Sequence, residues 1–166
     1  MTTGNAFSDP AAAKRLLGAI ANTASGLPTV HIMEVCGTHT MEIGRLGLRL
    51  LLPDNVELLS GPGCPVCVTP ASYIDALSEL ALTGKITVVT FGDLVRVPGN
   101  AHSFADAKSR GAAVEVVTSP QAALELARRT PERQFVFTAV GFETTVPSTA
   151  AAVRAASAER LQNITF

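Results

Sequence analysis

The sequence predicts an α/β fold: an open, mostly parallel β-sheet flanked by helices and built from successive β-α units. Three observations lead there. Short runs rich in Val, Ile and Phe alternate with segments whose apolar residues recur at helical spacing. One run, Lys85 to Phe91, is apolar on both faces, as a strand covered by helices on each side must be. Glycine and proline punctuate most changes from one pattern to the other.

The elements follow in order. Asp9 and Pro10 suit the cap and first position of a helix whose apolar face is Leu16, Leu17 and Ile20, with Gly26 as its stop. Thr29 to Val35 reads as the first strand, Cys36 to Thr40 as a turn, and Met41 to Leu52 as a helix ended by Pro53. Asn55 to Ser60 is the second strand. The turn Gly61 to Pro70 follows it, then a helix from Ala71 to Leu82 with Thr69 as cap and Tyr73, Ile74, Leu77, Leu80 and Ala81 as its buried face. After the third strand, Ser103 with Asp106 forms a capping-box pattern for a short helix that Gly111 ends. Ala113 to Val117 is a fourth strand, Ser119-Pro120 opens a helix to about Arg129, and Gln134 to Val140 is a fifth strand. An alanine-rich helix runs to about Arg160, and Asn163 to Phe166 reads as the opening of a sixth strand. The expected organisation is a lead-in helix over 1–28 and an α/β domain over 29–166, the first part of a longer protein.

Composition narrows the function classes. Apolar residues make up 47% of the chain and charged residues 16%, enough for a sizeable core. The formal net charge is -1 with no basic stretch, which argues against nucleic acid as a partner. No apolar run reaches the length of a membrane span, and the polar start, Met1 to Asp9, has no signal-peptide character. The expected location is the cytoplasm. Three cysteines do not make a secreted disulfide framework; in a reducing compartment they are metal ligands, redox thiols or buried apolar residues. No phosphate-loop or dinucleotide-binding glycine pattern is present.

The chemistry-bearing residues gather at strand ends. Cys36 lies with Thr38 and His39, Cys64 with Cys67, Asp93 with Arg96, and Glu143 with Thr144 and Thr145. In one open parallel sheet these ends share an edge, where such folds place their ligands. Cys64 and Cys67, two residues apart before a helix, suit a redox dithiol, half of a metal site, or a tight turn with inert thiols; the helix start is expected to favour the thiolate. Cys36 is a soft metal ligand, a nucleophile or a buried strand-end cysteine. His39 is a ligand, a base beside Cys36 or a capping partner. His31 reads as a core or hydrogen-bonded histidine. Asp93 and Arg96 also suit a loop-shaping ion pair, and Glu143 and Thr144 a helix cap.

Four stretches carry a family resemblance: Glu34 to Thr40 (EVCGTHT), Gly61 to Thr69 (GPGCPVCVT), Gly92 to Gly99 (GDLVRVPG) and Gly141 to Thr145 (GFETT). In this order they resemble the motifs of the HypD family, scaffold proteins in maturation of nickel–iron hydrogenases. The likeness covers roughly Thr29 to the end. It implies a platform on which iron receives cyanide and carbon monoxide ligands, with a HypC-like small chaperone, a HypE-like cyanide donor and, indirectly, the hydrogenase large subunit as partners. It implies Cys36 as the iron ligand, His39 as a neighbour that tunes it, and Cys64 and Cys67 as a redox pair. Thr38, Asp93, Arg96, Glu143 and Thr144 would line the same cleft or a partner surface. Family members also carry a second half and a four-iron, four-sulfur cluster, which three cysteines cannot hold in the family manner. Such a protein is an assembly scaffold rather than a conventional turnover enzyme. The rival expectations are a thiol-disulfide oxidoreductase and a structural zinc module of the three cysteines and a histidine.

Overall fold

Strands alternate with helices through the described residues, and every strand pairing among them is parallel. The structure, a computed structural model, describes residues 9–166. The polar stretch before Asp9 lies outside the described residues. The chain forms two compact units, Met1–Gly63 and Cys64–Phe166. The strands accordingly hydrogen-bond as two sheets, β1-β2 in the first unit and β4-β3-β5-β6 in the second, so the strand ends are divided between two sheets rather than ranged along one.

In the first unit, helix α1 (Pro10–Ala24) begins as the sequence predicts, with the Ala11 N–H donating to the Asp9 carboxylate. It ends before Gly26, whose φ of 80° only glycine adopts readily. Strands β1 (Val30–Glu34) and β2 (Val56–Ser60) pair from Val30 opposite Val56 to Glu34 opposite Ser60. The Asn55 side-chain amide ties this sheet to α1 by donating to the carbonyls of Ala24 and Leu27. The apolar face of α1 is largely open to solvent: Leu16 is 65% exposed and Ile20 38%. With Val30, Ile32 and Leu58 it lines an open apolar groove of about 520 Å³. Helix α2 spans Gly37–Arg45, and a 3-10 turn follows at Leu48–Leu50. The sequence reading of one helix over Met41 to Leu52 therefore starts too late and ends too late. Gly47 stops the helix in the left-handed conformation, with φ 61°.

The second unit carries the core. Its strands are β3 (Ile86–Thr90), β4 (Val114–Val116), β5 (Gln134–Phe137) and β6 (Ile164–Thr165). Its helices are α3 (Ala71–Leu82), α4 (Phe104–Ser109), α5 (Pro120–Arg129) and α6 (Val146–Ala158). Successive residues of β3 point to opposite faces. Val88 packs with Ile74, Leu77 and Ala81 of α3 and with Phe104 and Ala107 of α4. Val89 packs with Ala123 and Ala127 of α5 and with Phe135 and Phe137 of β5. Both faces are covered, which is why β3 reads as an unbroken apolar run. The chain steps from β3 outward to β4, then crosses back to β5 on the other side of β3. Helix α3 has the predicted bounds but is rotated: Ser78 is buried, while Tyr73 and Leu80 are exposed.

Several local signals act as expected. Ser103 and Asp106 form a complete capping box, and Ser119 accepts from the Ala122 N–H to cap α5. Asn163, nearly buried, donates to the carbonyls of Ala127, Thr130 and Arg133 and so closes the end of α5. Among the described residues no helix is long and apolar enough to cross a membrane.

Candidate functional site

Cys36 sits where β1 gives way to α2. It is the N-cap residue, in extended conformation, half-buried, with its carbonyl accepting from the Thr40 N–H at 3.0 Å. Helix α2 starts at once, so Thr38 and His39 belong to its first turn rather than to a loop, and both are exposed there. The side chain of Glu34 reaches forward into this turn. Its Oε1 accepts from the Thr40 hydroxyl at 3.0 Å and lies 3.5 Å from Arg49, which also donates to Ser60 at 2.9 Å. The sequence reading quoted Glu34 within a motif and gave it no role.

In the second unit, residues Cys64 to Val68 wind into a single helical turn, with the Val68 N–H donating to the Cys64 carbonyl. This turn brings the two sulfurs to 3.2 Å, with the Cys64 thiol directed at Cys67. A disulfide needs about 2.05 Å, so a small side-chain rotation separates the dithiol from the bonded form. The Cys67 backbone N–H donates to Cys64 Sγ, which favours its thiolate; the bond to the Cys67 sulfur, burial and the neighbouring charge outweigh this and push the Cys64 thiol above its ordinary value. The expectation of a helix-activated thiolate is thus corrected for Cys64: α3 begins only at Ala71, beyond reach of these sulfurs' turn. Thr69 does not cap α3 either. Its hydroxyl donates to the Pro65 carbonyl, and Pro70 takes the cap position.

Cys64 lines a cleft of about 480 Å³ together with Phe91, Asp93, Gly141, Phe142 and Thr145. The cleft lies beyond the carboxyl ends of β3 and β5, where the strand order reverses, the place such sheets bind ligands. Asp93 and Cys64 therefore line the same cleft. Arg96, Glu143 and Thr144 are exposed and do not line this cleft. Glu143 and Thr144 form a 3-10 turn ahead of α6, and no side chain caps that helix. Among the described residues no ion pair joins Asp93 to Arg96. His31 is hydrogen-bonded, as expected, but on the surface, 2.8 Å from Glu57 directly across the sheet.

The loop that carries Asp93 is held from below by Asp75 on α3, which sequence reasoning missed. Its carboxylate accepts from the backbone N–H groups of Asn100, Ala101 and His102 and from the Asn100 side chain. These donors, led by the Ala101 and Asn100 amides, lower its pKa to about 2. Gly99 passes so close that an added Cβ would meet the Asp75 oxygen at 2.2 Å.

Comparison with known proteins identifies the family. The HypD family profile, described as "Hydrogenase formation hypA family", matches residues 11–166. A HypD hydrogenase maturation factor of Rhodobacter capsulatus is 48% identical over 98% of the chain and 45% of its own length. One from Escherichia coli (strain K12) is 50% identical over 82% of the chain and 37% of its own length. One from Rhizobium leguminosarum bv. viciae is 47% identical over 96% of the chain. The chain thus spans less than half the length of these relatives. With four motifs in order on a parallel α/β frame, and a profile match from α1 to the last residue, the chain belongs to the HypD family.

Proposed function

We propose that this chain is the thiol-bearing part of a hydrogenase maturation scaffold, on which an iron ion is the cargo. The observation that carries the reading is the Cys64–Cys67 dithiol, with sulfurs 3.2 Å apart on a cleft at the sheet's switch point, in a chain whose relatives are named hydrogenase maturation factors. Cys36 offers a soft thiolate suited to iron carrying cyanide and carbon monoxide. His39 on the same helical turn tunes that ligand, and Thr38 lies beside it. Cys64 and Cys67 form a disulfide by passing two electrons to the iron-bound group as cyanide is installed, with two protons released to solvent, and an external dithiol reductant restores the pair by thiol–disulfide exchange. Asp93 supplies the charge in the cleft wall. Arg96, Glu143 and Thr144, on exposed loops, meet protein partners: a HypC-like chaperone, a HypE-like cyanide donor and, through them, the hydrogenase large subunit. A four-iron, four-sulfur cluster does not fit this chain, which holds three cysteines where such a cluster takes four thiolates.

The test is metal content and an infrared spectrum of protein purified without air from cells making nickel–iron hydrogenase. Bands of carbon monoxide and cyanide on iron, lost in Cys36→Ala, are the expected result. Iron with those bands retained in Cys36→Ala would overturn the assignment. Zinc in place of iron, with unfolding on chelation, would favour a structural zinc module. The sulfur separation also suits a general thiol-disulfide oxidoreductase, which would turn over a model disulfide without metal.

A further inference from the structure

The carboxylate of Glu34 is not accounted for by the fold of β1. It is 10% exposed, and its Oε2 is buried without a hydrogen-bond partner. A strand end needs no acid, and burying one is unfavourable unless its bonds do something specific. Those bonds run to the turn at Cys36 and to the end of β2. The Thr40 hydroxyl, 3.0 Å from Glu34 Oε1, also lies 3.3 Å from the Cys36 carbonyl, which already receives the Thr40 N–H. Arg49 bridges Glu34 to Ser60, the last residue of β2. The Glu34 carbonyl accepts from the Gly61 N–H at 2.8 Å, and an added Cβ at Gly61 would lie 2.1 Å from that oxygen. Backbone and side chain of one residue therefore fix both the Cys36 turn and the Gly61-Pro62-Gly63 stem beside it.

We propose that Glu34 is a positioning residue for Cys36, acting through the Thr40 hydroxyl, with Arg49 as the second anchor. It rests on the reading of Cys36 as the cargo ligand, but concerns the free thiol and is tested without metal. In extended chain, residues two apart project to the same side, so Glu34 and Cys36 share a face while Val35 faces away and is exposed. Glu34 thus sets how Cys36 is presented without occupying its position.

The experiment is the rate of Cys36 alkylation by iodoacetamide at fixed pH, in a Cys64→Ser, Cys67→Ser background so that one thiol reports. Glu34→Ala and Thr40→Val each raise the rate by roughly fivefold, the change that one lost hydrogen bond allows. Because both act through one bond, the double variant is no faster than the faster single. Glu34→Gln and Thr40→Ser, which keep an acceptor and a donor, return the rate to within about twofold of the parent. An unchanged rate in Glu34→Ala, additive single effects, or a Glu34→Gln as fast as Glu34→Ala would overturn the proposal. Thermal unfolding checks each variant. If Glu34→Ala does not fold, the Thr40→Val and Thr40→Ser comparison decides alone, a rate unchanged in Thr40→Val counting against it. Absence of iron in the infrared experiment leaves these rates untouched, so the two readings fail separately.

Discussion

Phe137 is the best single place to perturb the frame under the cleft. Its ring is fully buried and meets two others edge-on: Phe91 at 5.3 Å and 85°, and Phe166 at 6.0 Å and 71°. Phe137→Leu keeps an apolar side chain but removes both contacts. Each edge-to-face pair is worth about 0.5–1.5 kcal/mol, and the changed shape adds up to about 1.5 kcal/mol. The expected loss is about 1–4.5 kcal/mol, a fall in unfolding midpoint of roughly 5–30 °C for a unit of this size. The chain has one tyrosine and no tryptophan, so Tyr73 emission follows the unit Cys64–Phe166 selectively. Val116→Thr, on the exposed side of β4, serves as control and shifts stability by no more than about 0.5 kcal/mol. A Phe137→Leu midpoint as close to wild type as the control would refute the packing argument. Since Phe91 lines the cleft, the same variant also raises the rate at which Cys64 is alkylated.

Asp75 is ionised down to about pH 2, below an unfolded carboxyl near 3.9, so its contribution is complete above the unfolded value and disappears as pH falls from about 4 to 2. The stability gap between wild type and Asp75→Ala, followed by denaturant titration, therefore closes over that interval; a gap independent of pH would be evidence against the clamp. Gly61→Ala forces the ends of β1 and β2 apart at a cost of about 1–3 kcal/mol, read as faster hydrogen exchange at residue 61; unchanged exchange would contradict the close approach. Asn163→Leu leaves the Ala127 and Arg133 carbonyls without the amide donor, and the Thr130 carbonyl with the Arg133 N–H alone, and costs about 1–3 kcal/mol in thermal unfolding, whereas a neutral outcome would mean that water replaces the amide fully. Cys67→Ala removes the sulfur partner that raises the Cys64 thiol but keeps the lowering backbone N–H, so the alkylation profile of Cys64 moves to lower pH; a move upward would reverse the assigned causes.

The elements that could be read from sequence were those bounded by residues with one local meaning. Ser119-Pro120 and the Ser103/Asp106 capping box gave α5 and the start of α4 because a cap bonds within its own turn. Helix α2 was misplaced because Cys36 caps it with no side-chain bond, leaving no recognisable start. The buried face of α3 is legible at Ile74, Leu77 and Ala81 but not at its edges, because two apolar stripes run along the helix and only packing against Val88 and Phe104 selects the side with Ser78 over the side with Tyr73 and Leu80. Among site residues, the spacing of Cys64 and Cys67 foretold their contact, since three positions in a helical turn suffice. Asp75 was illegible because its partners are backbone amides far along the chain, which have no letter in the sequence. The division into two sheets was hidden for a similar reason: β1 and β2 look like further strands of one sheet, and nothing in their residues says that they pair only with each other.

The Asp75 clamp also determines when the cleft's loop loses its freedom. Leu94 is buried, the Ala105 N–H donates to the Val95 carbonyl, the Gly99 N–H donates to the His102 carbonyl, and Asp75 holds Asn100 to His102. Ordering backbone costs on the order of 1–2 kcal/mol per residue in entropy. Here that loss is taken during folding, so a ligand arriving at Asp93 meets a surface already shaped. Association at this wall then follows encounter rather than loop closure, with an entropy of binding free of any ordering contribution from residues 92–103.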